Sequence, residues 1–219
     1  MMMHMENIHG VIFDLDGTLV ESAPLYREAL VIALQNCQIC LDTPQLENLL
    51  SSMNLVEDLK LLSVEDEIAQ HIAQLRDELV YAIFSERVDW IEGAENIVNT
   101  TKARIPIGLV TSAWTKTVDA VHRRLGIKNI FKVIIDGNSV HGRYKPDPYG
   151  LQLAAQLLDL PPKNLLYVGD SETDVVAASA AGIRSCLLNR NAHTDSFKLS
   201  ADYCAHSWQE FGKLLEAAE

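Results

Sequence analysis

Long apolar runs are missing from this sequence, since no stretch approaches the roughly 18 residues that indicate a membrane-spanning helix. Basic residues are few: 18 Lys and Arg stand against 30 Asp and Glu, and the formal charge of −12 argues against nucleic acid or an anionic membrane as the main partner. There are only four cysteines, which fits a reducing compartment. The opening "MMMHMENIHG" has neither the basic region nor the long apolar stretch of a secretory signal, and we expect a cytoplasmic protein.

Apolar residues are plentiful even though long runs are not. At 219 residues and 48% hydrophobic residues, the chain can form one large domain, or a core domain with a small insert. The negative charge does not exclude a phosphorylated small molecule as a ligand, because a bound cation can reverse the electrostatic field inside one cleft.

Short apolar runs alternate with amphipathic stretches along most of the chain, which is typical of an α/β fold with a parallel sheet. Five strands are predicted, over residues 9–14, 105–112, 132–136, 164–170 and 184–189. Four helices are predicted between them, over residues 92–103, 114–125, 147–158 and 173–181. The segment "SWQEFGKLLEAA" predicts a last helix with Ser207 as its N-cap.

Residues 21–90 interrupt this alternation, because they show only helical periodicity, in "PLYREALVIALQN", "TPQLENLLSSM" and "VEDEIAQHIAQLRDELVYAIF". A crossover between parallel strands needs only about a dozen residues. The segment is therefore interpreted as an all-helical insert. Two of its basic residues, Arg27 and Lys60, are candidates for substrate contact but are interpreted as surface charges.

Polar residues stand where three predicted strands end: Asp14 after the first, Thr111 after the second and Asp170 after the fourth. Ligands of open parallel sheets bind beyond the carboxyl ends of the strands, so these side chains are expected to converge. Asp16 and Asp174 lie in the loops that follow two of these strands. So many carboxylates need a cation, and oxygen ligands of this kind suit Mg²⁺.

A lysine in "GRYKPDP", Lys145, precedes a proline that keeps it off the next helix, so it can reach the same crevice. Gly17 and Gly169 allow close approach of the backbone at the strand ends. An aspartate beside a cation and a lysine stays ionised and can attack phosphorus, while a second carboxyl group moves protons. Taken singly, these residues have plainer interpretations, such as helix caps for Asp170 and Asp174 and a surface charge for Lys145.

The combination resembles the haloacid dehalogenase superfamily, in particular its branch of phosphoglycolate phosphatases and β-phosphoglucomutase-like proteins. Four family motifs occur in order: "DLDGT" at 14–18, the threonine of "LVTSA", the lysine of "KPDP" and "GDSETD" at 169–174. The resemblance implies a Rossmann-like core formed by residues 1–20 and 91–219. It also implies that residues 21–90 are an α-helical cap inserted after the first strand.

The resemblance also implies roles for the motif residues. Asp14 would be the nucleophile and a Mg²⁺ ligand, and Asp16 would be the general acid and base, with its backbone carbonyl on the metal. Thr111 and the backbone N–H of Ser112 would hold the phosphoryl group, and Lys145 would neutralise charge there. Asp170 would be a second carboxylate ligand of Mg²⁺, and Asp174 would support it either without contacting the ion or through a water molecule.

These roles imply a Mg²⁺-dependent phosphatase that hydrolyses a small phosphorylated metabolite through an aspartyl-phosphate. Asp16 favours phosphoryl transfer over carbon–halogen cleavage, because a dehalogenase has no alkoxide-like leaving group to protonate. Two alternatives remain open at this stage: a phosphomutase of the β-phosphoglucomutase type, and a non-catalytic metabolite-binding protein. The sequence leaves open whether the protein is a monomer or a homodimer.

Overall fold

The computed structural model describes residues 7–52, 54–190 and 200–216. The strands in these ranges are Gly10–Phe13 (β1), Ile107–Val110 (β2), Val133–Ile135 (β3), Leu165–Gly169 (β4), Arg184–Leu188 (β5) and Tyr203–Ala205 (β6). The helices are Ala23–Asn36 (α1), Thr43–Leu50 (α2), Leu55–Leu61 (α3), Asp66–Arg87 (α4), Ala94–Lys102 (α5), Thr115–Leu125 (α6), Tyr149–Leu158 (α7), Glu172–Ala181 (α8) and Trp208–Glu216 (α9).

The strands form one parallel sheet in the order β3-β2-β1-β4-β5-β6. β1 is central, and Phe13 at its end pairs with Leu109 of β2 on one side and with Val168 of β4 on the other. The predicted α/β fold with a Rossmann-like parallel sheet is confirmed. The register also places the ends of β1, β2 and β4 side by side.

The five predicted strands are all present with slightly shorter bounds, and β6 is an additional strand. β6 was not predicted because its three residues are too few to show an alternating pattern. The last helix begins where expected, since the Ser207 hydroxyl accepts a hydrogen bond from the backbone N–H of Glu210 at 3.1 Å. Its predicted last residues and Met53 of the second helical stretch lie outside the described residues.

Hydrophobic clusters cover both faces of the sheet. Since successive side chains of a strand point to opposite faces, Val11 and Phe13 belong to one cluster and Ile12 belongs to the other. Both faces of the sheet are thus buried, which explains why β1, β2 and β4 consist of apolar residues and glycine, apart from Tyr167.

The described part of residues 21–90 contains four helices and no strand of more than a single bridged residue. α1 to α4 enclose a third hydrophobic cluster of their own, which includes Leu30, Leu59 and Ile72. α1 and α4 also reach the first cluster of the sheet, through residues such as Leu25 and Phe84. α3 was not predicted as a separate helix; Asn54 caps its start, accepting a hydrogen bond from the Glu57 N–H at 3.4 Å.

None of the helices in the described ranges combines the length and the apolar character that crossing a membrane requires.

An aromatic group joins the central strand to the last helix. The Trp208 ring lies 5.9 Å from the Phe13 ring and 5.4 Å from the Phe211 ring, measured between centroids. Its indole Nε1 donates a hydrogen bond of 3.2 Å to the carbonyl oxygen of Thr18, in the loop that follows β1. Trp208 therefore holds that loop as well as filling the core.

We expect Trp208→Ala to lower the free energy of unfolding by about 3–5 kcal/mol, because it removes a fully buried aromatic side chain and leaves a cavity. Trp114→Ala is the matched control: Trp114 is 53% exposed, so its loss is expected to cost less than about 1 kcal/mol. Urea unfolding followed by circular dichroism measures both. Equal losses in the two variants would contradict the role assigned to Trp208.

Candidate active site

The ends of three neighbouring strands bring polar side chains to one edge of the sheet. Asp14, Thr111 and Asp170 follow β1, β2 and β4 directly. Asp14 is fixed to the sheet by its backbone N–H, which donates to the carbonyl of Val168 at 2.9 Å, and the N–H of Thr111 donates to Ile135 at the same distance. The site is thus attached to the most buried part of the fold.

An acidic cluster lies at this edge. The carboxylate oxygens of Asp14, Asp170 and Asp174 lie within 4.8 Å of one another, with Asp14 and Asp174 buried and Asp170 half-buried. The Nζ of Lys145 donates to Oδ1 of Asp14 and to Oδ1 of Asp174, each at 2.6 Å. The lysine side chain is only 10% exposed, so these two ion pairs are shielded from water.

Asp174 is fully occupied by hydrogen bonds. Its Oδ2 accepts from the backbone N–H of Ser171 at 3.0 Å and from the Ser171 hydroxyl at 2.5 Å. The Ser171 Oγ in turn accepts from the backbone N–H of Asp174 at 3.3 Å, which completes a capping box at the start of α8. Its Oδ1 accepts from Lys145 and from the hydroxyl of Tyr167. With both oxygens engaged, Asp174 is suited to hold Lys145 in place rather than to bind an ion directly.

Tyr167 is a site residue that sequence reasoning missed. Its hydroxyl accepts from Lys145 Nζ at 3.0 Å, and its own proton points toward Asp174 Oδ1 at 3.0 Å and the Val110 carbonyl at 3.2 Å. The available signal was a tyrosine in an otherwise aliphatic strand, because a buried tyrosine hydroxyl requires a partner. Tyr167 completes the set of groups around Lys145.

Asp170 is positioned by the loop after β1. Its Oδ1 accepts a hydrogen bond of 3.2 Å from the Thr18 hydroxyl. Gly17 has a positive φ of 75°, and a Cβ atom at that position would lie 2.3 Å from Oδ2 of Asp170. Only glycine therefore lets the loop approach this carboxylate so closely.

The charges of the cluster are unbalanced, since three carboxylates face one ammonium group. Burial raises the pKa of Asp14 well above its ordinary value despite the attraction of Lys145, and burial together with Asp174 raises the pKa of Asp170 to about 6. For Asp174, burial is outweighed by Lys145 and by the hydrogen bonds from Ser171 and Tyr167, so its pKa is lowered. Lys145 stays protonated, because although burial disfavours its charge, the two carboxylates raise its pKa.

This arrangement fits a metal ion. Only Oδ1 of Asp14 accepts a hydrogen bond from the residues that the structure describes, which leaves Oδ2 available. Asp14 and Asp170 together offer oxygen donors only, and a cation there would offset the burial that raises both pKa values. The geometry indicates a metal site without identifying the metal.

Asp16 is not a member of this cluster, although it lines a cavity together with Asp170. It lines two cavities, one of about 290 Å³ that also touches Ser112 and one of about 580 Å³ that also touches Asp170. Burial raises its pKa, although the hydroxyls of Ser22 and Tyr26 lower it in part. Its Oδ1 is buried and has no hydrogen-bond partner among the described residues, so it is available to a ligand.

Thr111 and Ser112 lie on the β2 side of the site. The Thr111 Oγ1 accepts from the backbone N–H of Ala113 at 3.0 Å, which leaves its hydroxyl proton to donate elsewhere. Within the described chain, the backbone N–H of Ser112 forms no hydrogen bond. Two donors are therefore available beside the acidic cluster.

A parallel sheet with an Asp–Lys–Asp arrangement at the carboxyl ends of its strands defines an α/β protein whose site can hold an anion next to a metal ion. The sequence matches the model of the haloacid dehalogenase-like hydrolases over residues 11–188. A phosphoglycolate phosphatase of Yersinia pestis is 36% identical over 191 residues, which cover 83% of this chain and 81% of that protein.

Solved structures show the same fold. One described as a "predicted phosphoglycolate phosphatase" from Haemophilus somnus has a TM-score of 0.83 at 22% identity, covering 96% of this chain and 99% of that one. CbbY from Rhodobacter sphaeroides, in complex with phosphate, has a TM-score of 0.77 at 25% identity and covers 95% of this chain and 99% of that one. The protein belongs to the haloacid dehalogenase-like hydrolases, as the four motifs indicated.

We expect Asp170→Asn to stabilise the metal-free protein. Because the pKa of Asp170 is raised to about 6 in the folded state, its ionisation destabilises the fold, so stability is highest below the unfolded-state pKa and is lost as pH rises through about 6. Asparagine, which mimics the neutral acid, should therefore add about 1–3 kcal/mol at pH 7.5 in EDTA. Thermal unfolding between pH 5 and 7.5 measures this.

The matched control is Glu92→Gln, which removes an exposed carboxylate and should change stability by less than about 0.5 kcal/mol. Added Mg²⁺ should raise the midpoint of the wild type and of the control, but not that of Asp170→Asn. If Asp170→Asn were less stable than the wild type in EDTA at pH 7.5, the unfavourable charge at this position would be refuted.

Proposed function

We propose that this protein is a Mg²⁺-dependent phosphatase that hydrolyses a small phosphorylated metabolite through an aspartyl-phosphate on Asp14. The observation that carries the proposal is the buried contact of Lys145 with Asp14 and Asp174. Asp170 of the same acidic cluster lines the larger of the two cavities that Asp16 lines. The phosphatase assignment is supported by the curated relative from Yersinia pestis, whose name is phosphoglycolate phosphatase.

In the first step, a carboxylate oxygen of Asp14 attacks phosphorus, and the bond from phosphorus to the ester oxygen breaks. The leaving oxygen takes a proton from Asp16 and departs as an alcohol. The raised pKa of Asp16 suits a group that must carry a proton at the start. The Lys145 ammonium, 2.6 Å from Oδ1 of Asp14, favours the ionised nucleophile.

In the second step, Asp16, now ionised, takes a proton from water as the water oxygen attacks phosphorus. The bond between phosphorus and Asp14 breaks, which releases inorganic phosphate and restores both carboxyl groups to their starting state. One residue thus serves as acid and then as base. Its position on both cavities gives it access to the leaving group and to water.

The remaining residues bind the phosphoryl group and the metal. The Thr111 hydroxyl and the Ser112 N–H would donate to phosphoryl oxygens, beside Lys145. Asp14 and Asp170 would hold Mg²⁺ with the backbone carbonyl of Asp16, and Asp174 would support Lys145. The ion would supply Lewis-acid stabilisation of the negative charge on the phosphoryl group.

We further propose that residues 21–90 act as a cap over a catalytic core formed by residues 1–20 and 91–219. The separate hydrophobic cluster of α1 to α4 supports this division. Residues of α1, α2 and α4 line the smaller cavity together with Ser112 and Thr117 of the core. Such a cap would exclude water from the first step. A cytoplasmic location remains a prediction from the composition.

We expect purified protein with Mg²⁺ to release inorganic phosphate from phosphoglycolate or from a member of a sugar-phosphate panel, and to lose this activity in EDTA. Asp14→Asn removes the nucleophile and should lower kcat by at least about 10³-fold. Asp16→Asn should lower it by about 10²–10⁴-fold, the usual contribution of general acid–base catalysis. Phosphate release measured over time gives each value.

p-Nitrophenyl phosphate separates the two roles. Its leaving group is acidic enough to depart without a proton, so Asp16→Asn should still release one equivalent of nitrophenol rapidly and then stall as the phospho-enzyme. Asp14→Asn should show no such burst. A burst in Asp14→Asn would refute the proposed nucleophile, and isomerisation of a hexose phosphate without phosphate release would favour the mutase.

A further inference from the structure

The loop that follows β1, residues 15–21, carries Asp16 and lies against Asp170. Gly17 in this loop has a φ of 75° and approaches Asp170 so closely that no side chain fits between them. Glycine adopts more combinations of backbone torsions than any other residue, so the peptide groups on either side of Gly17 are weakly constrained by the chain itself. The Gly17 N–H is bonded inside the loop, to the carbonyl of Val20 at 3.0 Å, but its carbonyl depends on a donor from elsewhere.

Arg190, which follows β5, supplies that donor. Its Nη2 donates to the Gly17 carbonyl at 3.2 Å, and its Nη1 and Nη2 donate to Oε2 of Glu21 at 3.2 and 3.3 Å. β4 lies between β5 and β1 in the sheet, so the side chain reaches across the end of β4, where Asp170 stands. One guanidinium group thus binds the loop at two points.

The ion pair with Glu21 orients Arg190 more than it stabilises the fold. Glu21 is 51% exposed, and a pair so open to water contributes little to stability. The Glu21 backbone is itself fixed, because its N–H donates to the carbonyl of Asp89 at 3.2 Å. A planar guanidinium group that binds Glu21 through two nitrogens has a defined orientation, and in that orientation Nη2 also reaches the Gly17 carbonyl.

The position of the Gly17 carbonyl affects both functions proposed for Asp16. The Asp16 carbonyl, proposed to bind the metal ion, belongs to the peptide group before the Gly17 Cα, and the Gly17 carbonyl belongs to the peptide group after it. Holding the second group limits the rotation of the first about the glycine torsions. The same stretch of backbone carries the Asp16 carboxyl group at the boundary of the two cavities.

We propose that Arg190 is a positioning residue of the active site: by holding the Gly17 carbonyl, it keeps the Asp16 carbonyl at the metal site and the Asp16 carboxyl group at the cavity boundary. This rests on the proposed phosphatase function and adds to it a residue outside the four motifs and outside residues 21–90. Arg190 touches neither substrate nor metal in this role and acts only through the loop.

The first test needs neither metal nor substrate. Arg190→Met keeps the apolar stem of the side chain but removes its charge and all its donors. In the metal-free protein, the amide protons of Gly17 and Glu21 should exchange with deuterium about 5- to 30-fold faster than in the wild type, because the loop opens more often without this contact. The amide proton of Asp14, bonded to Val168 in the sheet, should exchange at the wild-type rate.

The second test measures metal binding and the reaction. Titration of Mg²⁺ against the midpoint of thermal unfolding should give a Kd about 10-fold higher in Arg190→Met, the lower end of the loss seen when a group that positions a metal ligand is removed. At saturating Mg²⁺, kcat for p-nitrophenyl phosphate should fall about 3- to 30-fold with no rise in KM, because hydrolysis of the phospho-enzyme depends on Asp16. Arg190→Lys should lie between, since it keeps the charge but loses the planar fork.

Arg184→Met is the matched control. Arg184 begins the same strand and also donates to backbone carbonyls, those of Asn7 at 3.3 Å and Lys163 at 3.1 Å, but it does so at the amino ends of the strands. Its replacement should leave the exchange of the loop amides, the Kd for Mg²⁺ and kcat unchanged.

Glu21→Gln tests the orienting contact. It should speed exchange of the Gly17 amide only about two- to fivefold, because the Gln side chain keeps an acceptor for Arg190 but loses the charge. Added to Arg190→Met, it should cause no further increase, since Glu21 acts on Gly17 through Arg190.

Three results would overturn the inference: wild-type exchange at Gly17 or an unchanged Kd for Mg²⁺ in Arg190→Met, an acceleration that includes Asp14 and so reports a general loss of stability, or an equal effect of Arg184→Met. Failure of the proposed function has a different outcome, in which the wild type releases no phosphate from any substrate. Amide exchange needs no turnover, so it decides whether Arg190 holds the loop in that case as well.

Discussion

The buried contact of Lys145 with Asp14 and Asp174 is the interaction on which the rest of the site depends. A lysine shielded from water is costly unless carboxylates surround it, and buried carboxylates are equally costly without a cation. Lys145 satisfies one oxygen of each at 2.6 Å, and Tyr167 and Ser171 hold Asp174 in position for it. Burial, together with the other carboxylates, nevertheless raises the pKa values of Asp14 and Asp170, and one ammonium group does not offset this for three acids, so the site fits a metal ion.

The sheet order explains why these particular acids meet. β1 lies between β2 and β4, so residues that follow these three strands share one small region. Asp136 shows that a position at the end of a strand does not by itself make an acid part of the cluster. It follows β3 at the edge of the sheet, and it accepts hydrogen bonds from Thr115 at 2.6 Å and from the N–H and hydroxyl of Ser139. Its charge is used to fix a loop, whereas Asp14 has an oxygen left for a ligand.

The sequence was informative where local pattern and function coincide. Apolar runs that end in Asp14 and Asp170 predicted both the central strands and the position of the acidic cluster, because strand direction alone sends those residues to one edge. Contacts between residues that are distant in the sequence could not be predicted in this way. In the sequence, Tyr167 looks like one more apolar residue of a strand. Among the basic residues of 21–90, Arg27 and Lys60 were the candidates for substrate contact. Both form exposed ion pairs, whereas Arg76 lines the smaller cavity. Helical periodicity does not determine which polar side chain of a helix lines a cavity.

Asp16 lines the smaller cavity together with residues of α1, α2 and α4. In the proposed mechanism it must reach the leaving oxygen in one step and a water molecule in the next. These demands conflict in a closed site, because the substrate fills the space that water would need. The structure separates them by placing Asp16 on the boundary of two cavities, one shared with Ser112 and Arg76 and the other with Asp170. When the alcohol leaves the smaller cavity, water can reach the same carboxylate without any change in Asp14 or Lys145. In the proposed mechanism the acidic cluster and the proton-transfer residue are thus separate, so that residues of 21–90 that line the cavities could determine the substrate while the reaction stays the same.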